Sequence, residues 1–236
     1  MESEVAQLLG EIRRYTEQFK AGDNRSALAF RNLAAQLLGQ TVAAAGASPR
    51  LVSGDAHKLW VLGGPGGPTT PLKLRNGAYL KLAMTLVLVD QSVDGNSVTR
   101  LKVRDSSFQY QLDEQGDQWV FRYDYERDAA DRHPRAHLHV RGSLTEAEAT
   151  ATSRYHGTPE RIHYPTNRIS LEAVIRLLID QFGVAPATSP EVWRKILAES
   201  ERLFNEIAHQ PLSGPDGLTP SELAAAKTKG AKTRPR

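Results

Sequence analysis

The sequence predicts an α+β fold in which an antiparallel sheet of about 4–5 strands carries helices on one face and follows a helical N-terminal arm. Three observations predict it. Apolar residues recur at three- and four-residue spacing near the N-terminus and again after residue 170. Between about residues 78 and 140 they recur at spacing two instead. The alternating runs are joined by short polar turns, which suit hairpins and therefore antiparallel pairing.

Residues 3–20 place Val5, Leu8, Leu9, Ile12, Tyr15 and Phe19 along one helical face. Gly22, Asp23 and Asn24 break that pattern. A second helix is expected from about 25 to 45, with Leu28, Leu33, Leu37, Leu38 and Val42 on one side. Two helices joined by so short a turn form an αα-hairpin, placed either to pack on the main domain or to make a dimer contact. The stretch "VLGGPGGPTTP" at 61–71 lacks the Gly-Lys-Ser/Thr ending of a phosphate-binding loop, and its prolines remove backbone donors that a phosphate cradle uses. It reads as part of a linker.

Residues 78–90, 98–113, 118–126 and 136–140 read as strands, and "RIHYPT" at 161–166 as a further one. Asp94-Gly95 is a hairpin signal between the first two. Within 98–113 the apolar parity switches, because Leu101 and Val103 are odd whereas Phe108, Tyr110 and Leu112 are even. A regular strand cannot change faces, so a bulge or bend is expected near Asp105–Ser107. Ser170 suits the N-cap of a helix at 171–182, with Gly183 after its end. Ser189 and Pro190 open a last helix, striped by Trp193, Ile196, Leu197, Phe204 and Ile207. The expected units are a helical hairpin arm (1–47), a glycine–proline-rich linker (48–74), an α+β domain with a histidine-rich sheet face (75–209) and a disordered basic tail (210–236).

Composition narrows the function classes. The chain of 236 residues has no cysteine, which excludes disulfides, thiolate chemistry and cysteine-based zinc sites. No apolar run approaches the roughly 20 residues of a membrane span, and the N-terminus has no uninterrupted apolar stretch of a secretory signal, so a cytoplasmic protein without membrane contact is expected. The net charge is +3, but residues 221–236 hold five basic residues against Glu222 alone, a surplus of four. Residues 1–220 therefore sum to −1, and the basic balance is no sign that the body binds nucleic acid. No Gly-x-Ser-x-Gly elbow, His-Glu-x-x-His or dinucleotide fingerprint is present.

The reactive side chains gather instead in and around "HPRAHLHVRG" (133–142), where three of the seven histidines fall within seven positions. On a strand, residues two apart share a face. His137, His139 and Arg141 then oppose Ala136, Leu138 and Val140. Arg122, Asp124 and Glu126 oppose the aromatic residues of "WVFRYDYE", and Arg161 and His163 oppose Ile162 and Tyr164. If the three apolar faces meet one core, Asp124, Arg122, His137, His139, Arg141, Arg161 and His163 converge. Such a set suits metal-independent acid–base cleavage of RNA, with two histidines sharing proton transfer and an arginine stabilising the phosphorane. It also suits a metal held by His137, His139, His163 and Asp124. A solvated sheet face, finally, is polar with no further role. His133 and His156 fall in loops, and His57 and His209 read as isolated surface residues.

The stretch from "WVFRYDYERDAADRHPRAHLHVRG" to "RIHYPTNRISLEAVIRLLIDQF", roughly residues 118–182, resembles the TumE-like proteins, toxin components of prokaryotic toxin–antitoxin modules. The elements that carry the resemblance are Arg122-Tyr123-Asp124, His133, the His137-x-His139 pair and the helix at 171–182. Members of that family are near half this length, and the arm, the linker, the last helix and the basic tail have no counterpart in them. The resemblance implies a toxin-like, RNA-directed role with an antitoxin-like protein partner.

Together these readings give a metal-independent ribonuclease-like enzyme without cofactor. His137, His139 and Asp124 are its catalytic residues, with Asp124 orienting a histidine. Arg122, Arg141, Arg161 and His163 are its substrate-binding residues. RNA, an antitoxin-like protein and a second copy joined through the N-terminal helices are the partners considered. The alternative is a non-catalytic protein-binding or metal-binding module whose N-terminal helices engage a partner.

Overall fold

The apolar spacing near the N-terminus produces helices α1 (Glu2–Gln18) and α2 (Asn24–Gln40), joined by a 3-10 turn at Phe19–Ala21. Gly22 ends the turn at φ 69°, in the left-handed region that glycine tolerates, and the Asp23 carboxylate caps α2 by accepting from the Arg25 amide at 2.8 Å. The computed structural model describes residues 2–54, 59–93, 96–127, 129, 134–142 and 163–208. Strands β1 (Arg50–Ser53), β2 (Leu59–Gly63), β3 (Leu72–Lys73), β4 (Tyr79–Val93), β5 (Asn96–Gln111), β6 (Trp119–Glu126), β7 (Ala136–Val140) and β8 (Tyr164–Pro165) follow, and then helices α3 (Leu171–Asp180) and α4 (Pro190–Ala208).

The result is an α+β fold with one antiparallel sheet in the order β1-β2-β4-β5-β6-β7-β8, β3 pairing with β4 on the same edge as β2. The sheet has eight strands, more than the four to five expected. The difference lies in residues 48–74, which are not a linker: β1, β2 and β3 all form there and extend the sheet. The glycines that suggested a linker serve a tight turn. A Cβ on Gly63 would collide with the backbone of Gly67 and Pro68, and one on Gly64 with the Thr70 carbonyl. Only bare backbone fits where the chain folds back so closely.

The parity switch in β5 is a bulge. Thr85 pairs with Asp105 but Leu86 with Val103, which leaves Arg104 as the extra residue, one position before the expected stretch. On either side of it Leu86, Val103, Phe108 and Tyr110 all reach the apolar face. Leu112, grouped with them by parity, is 53 % exposed, because β5 ends at Gln111 and the chain turns there, the Leu112 amide bonding to Gln118. Leu28 is likewise 47 % exposed, off the buried side of α2.

One contiguous core joins the arm to the sheet. Ile12, Leu37 and Leu38 of the first two helices, Leu80, Leu82 and Phe108 of the sheet, and Ile175, Leu178, Ile196 and Leu197 of the last two are all buried in it. Each such side chain contributes roughly 1.5–3 kcal/mol on leaving water. The apolar stripe of α1 is therefore covered within the chain itself. Phe182 follows α3 and packs on Tyr110 and Phe121, with centroids 4.7 and 5.3 Å away. Ser170 caps α3 by accepting from the Ala173 amide at 3.1 Å, and Gly183 has φ 64°. No helix among the described residues is long and apolar enough to cross a membrane. The Asp94-Gly95 turn and the basic tail lie outside the described residues.

Glu172 of α3 is buried against α4, where it accepts from the Ser200 hydroxyl at 2.6 Å. Burial holds its carboxyl above the usual range, against the opposing pull of that hydrogen bond. A raised folded-state pKa means that the folded chain keeps a proton the unfolded chain releases. The associated stability is complete below the ordinary glutamate pKa and is lost as pH rises through the folded value. Glu172→Gln is expected to raise the melting temperature at pH 7–8 and to flatten its fall above pH 4.5 in thermal unfolding followed by circular dichroism. A lower melting temperature at pH 7 with an unchanged pH profile would contradict this.

Candidate metal centre on the open sheet face

Antiparallel register builds the site in transverse rows. Ala83, Ser107, Asp124 and His137 pair successively across β4, β5, β6 and β7. Lys81, Gln109, Arg122 and His139 form the next row. Leu138 pairs with Tyr164 and His137 with Pro165, so one further step in that register sets His163 opposite His139. Phe121 and Tyr123 of β6 face the core, and alternation sends Arg122 and Asp124 the other way. His137, His139, His163, Arg122 and Asp124 are thus brought together. Trp119, expected on the same face as Phe121 and Tyr123, lies beyond a register shift at Val120, and Tyr125 lines the cleft over the site.

The three histidines touch. Ring centroids lie 4.9 Å apart for His137 and His139, and 4.6 Å from each of these to His163. One ring nitrogen of each lies within 4.8 Å of the others. His137 and His139 are buried at 4 % and 5 % exposure, whereas His163 is exposed. The His137 Nδ1 stands 3.0 Å from the Pro134 carbonyl. A carbonyl can only accept, so this contact assigns a proton to Nδ1.

Asp124 ties the rows together. Its Oδ1 accepts from the Ser107 hydroxyl and its Oδ2 from Arg122 Nε, both at 2.7 Å. The same Oδ2 lies 3.5 Å from His139 Nε2 and 3.7 Å from His137 Nε2. The carboxylate is held by two charge-assisted hydrogen bonds and stands beside two of the three rings. A cleft of about 600 Å³ opens over this group, lined also by Ala83, Asp105, Tyr125 and Glu126. Asp105 is engaged by Thr85 Oγ1 at 2.5 Å and by Arg104 Nε at 3.0 Å.

One expected residue does not join the site. Arg141 shares the parity of the histidines, but β7 ends at Val140, and the Arg141 guanidinium instead donates to the Asp117 carbonyl at 2.5 Å. It does not line the cleft. Arg161, His133, His156, His57 and His209 lie outside the described residues. The strand expected at 161–166 is described only as Tyr164–Pro165. Ser107, Gln109 and Lys81 are the site residues that sequence reasoning missed. The parity switch in β5 carries the signal for the first two, since a bulge before Ser107 sends it to the face opposite Phe108. What alternation could not supply is which strand lies beside β6.

No protein-family model, curated protein or solved structure matches the chain.

Asp124→Ala removes two short hydrogen bonds and leaves Arg122 without its carboxylate. It is expected to cost about 1–3 kcal/mol in urea denaturation. A loss under about 0.5 kcal/mol, the range of an ordinary surface change, would mean that the carboxylate does not hold the rows together.

Proposed function

We propose that His137, His139 and His163 bind one divalent transition-metal ion of the zinc class, and that the site is a metal-dependent hydrolytic centre. The observation that carries the reading is the approach of three imidazole nitrogens to within 4.8 Å of one another. Imidazole is the ligand such ions favour, and three histidines with one position left over is a known catalytic arrangement. The Pro134 carbonyl supports it from outside, because a ligating histidine characteristically gives its other N–H to such an acceptor. The opening onto the cleft leaves space for a water and a substrate.

The same geometry weighs against the metal-independent alternative. Proton transfer by two histidines to opposite sides of a phosphate needs the phosphate between them. Here His137 and His139 lie with centroids 4.9 Å apart and the His163 ring lies against both. The rings point at a common centre and do not flank a substrate-sized gap.

A bound ion would supply polarisation of a water so that it ionises near neutral pH. The chain's own residues supply the rest. Asp124 Oδ2, beside two of the ligating rings, is placed to accept the water's proton. Ser107 holds Oδ1 and so orients the carboxylate. Arg122, whose Nε is on Asp124, keeps its Nη groups for negative charge on the substrate. The toxin-like, RNA-directed setting with an antitoxin-like partner is what the local resemblance implies for such a centre.

Chelator-treated protein is expected to take up one equivalent of Zn²⁺ in isothermal titration calorimetry, and to gain about 2.7 kcal/mol of stability at 100-fold Kd of free metal. His137→Ala and His139→Ala are expected to abolish that uptake, and His163→Ala to weaken it. Uptake that is absent, or unchanged in the His137 and His139 variants, overturns the reading.

A further inference from the structure

The row beside the metal site holds a second set of groups that the three-histidine centre does not use. Lys81, Gln109 and Arg122 are consecutive partners across β4, β5 and β6 and face the same side as the histidines. They line a cleft of about 350 Å³ together with Ala83, Ser107 and Asp124. Ala83, Ser107, Arg122 and Asp124 also line the larger cleft over the histidines, so the two are continuous. Their floor is made by the two small side chains Ala83 and Ser107, between the longer residues of the adjoining row.

The charge of this cleft is set by Lys81 and Arg122 against Asp124. Arg122 Nε and Asp124 Oδ2 already pair at 2.7 Å. Lys81 is half-buried, and no described residue forms an ion pair or hydrogen bond with its ammonium group. One positive charge is therefore left over in a recess that removes part of its water. Gln109 Nε2 spends one donor on Gln111 at 2.8 Å and has a second hydrogen remaining. Neighbouring strands lie about 4.8 Å apart, so Lys81 and Arg122 arise roughly 10 Å from each other with Gln109 between them. Their side chains are long enough to close on a single anion. A lysine ammonium, an amide N–H and the Nη groups of an arginine offer more donors than a carboxylate has oxygens to use well, and match the three oxygens of a phosphate.

We propose that Lys81, Gln109 and Arg122 form a phosphate subsite, and that the substrate of the adjoining centre is a phosphorylated molecule whose anionic group is held there while the bond to be cleaved lies over His137, His139 and His163. The inference rests on the metal reading for the second half and not for the first. Row spacing puts the held phosphate one to two strands, about 5–10 Å, from the histidines. It is thus a group next to the scissile bond. A free nucleotide and the backbone of a single-stranded nucleic acid both present such a group. Lys81 is a specificity residue here, since it touches substrate without reaching the reacting atoms.

The test uses full-length protein loaded with Zn²⁺ and titrated in separate arms with inorganic phosphate, AMP and a ten-nucleotide RNA. Lys81→Met keeps the aliphatic stem and is expected to weaken phosphate binding about tenfold or more, with Zn²⁺ affinity unchanged. Lys81→Arg is expected to retain it. The same charge removed from the exposed Lys73 of β3 is expected to change nothing. RNA binding with a steep salt dependence, and AMP no tighter than phosphate, identifies the nucleic-acid backbone as the source. AMP binding tighter than both identifies a free nucleotide. Equal phosphate affinity in the wild type and a folded Lys81→Met overturns the subsite while leaving the metal reading intact. Failure of Zn²⁺ uptake with phosphate still lost in Lys81→Met overturns the metal centre, and with it the assignment of the scissile bond.

Discussion

The rows of the open face depend on alternation across antiparallel strands, reset in β5 by the extra residue Arg104 and again at the start of β6 by Val120. Before the bulge, odd residues of β5 such as Val103 enter the core; after it, Phe108 and Tyr110 do. Removing the extra residue would turn Ser106 and Phe108 outward and send Ser107 and Gln109 into the core. Phe108 is 1 % exposed and holds the register from the apolar side. Asp124 would then face a ring and lose its Ser107 hydroxyl. The bulge is a backbone feature, but its consequence is chemical, since it decides which side chain stands next to the carboxylate between Arg122 and the histidines.

Asp124 converts register into geometry. Burying histidines at 4–5 % exposure is costly unless their polar atoms are engaged. The Asp124 carboxylate lies 3.5–3.7 Å from both Nε2 atoms, while its own oxygens accept from Ser107 and Arg122, and the buried His139 Nε2 makes no hydrogen bond with any described residue. Each contact constrains the next, so the row behaves as a network in which no single member sets the positions alone. The adjoining apolar face supplies rigidity. Tyr110, Phe121 and Phe182 interlock behind the strands that carry Gln109 and Arg122.

Much of this was legible in local pattern. The helix spacings, the N-cap at Ser170, the strand at 136–140 and the face shared by His137 and His139 follow from periods of 3.6 and 2.0. The convergence of Asp124 and His163 on that face was legible as a condition, since it needed three apolar faces to meet one core. Three things were not legible, each for a physical reason. Strand order is non-local, so nothing near Asp124 names Ser107 or Lys81 as a neighbour. In β1, β2 and β3, glycine and proline hide short strands, because close backbone approach and linker flexibility call for the same residues. Arg141 has the right parity, but parity holds only while the strand lasts, and β7 ends one residue earlier.

The three histidines are not equivalent, and the sheet explains the difference. His137 and His139 sit inside a five-residue strand paired along β6, buried, with His137 fixed by the Pro134 carbonyl. His163 directly precedes a strand of two residues and is exposed. A tetrahedral ion with metal–nitrogen bonds of 2.0–2.1 Å needs its nitrogens about 3.3 Å apart, closer than the 4.8 Å within which these three lie. Of the three rings, His163 is the one carried outside a long paired strand, and adjustment on binding an ion would fall mainly to it. Were an ion bound, His137 and His139 would be its more firmly placed ligands and His163 its more adjustable one. Asp124, its oxygens accepting from Ser107 and Arg122, is held beside the rings, where its carboxylate would serve an ion bound there as a neighbouring base.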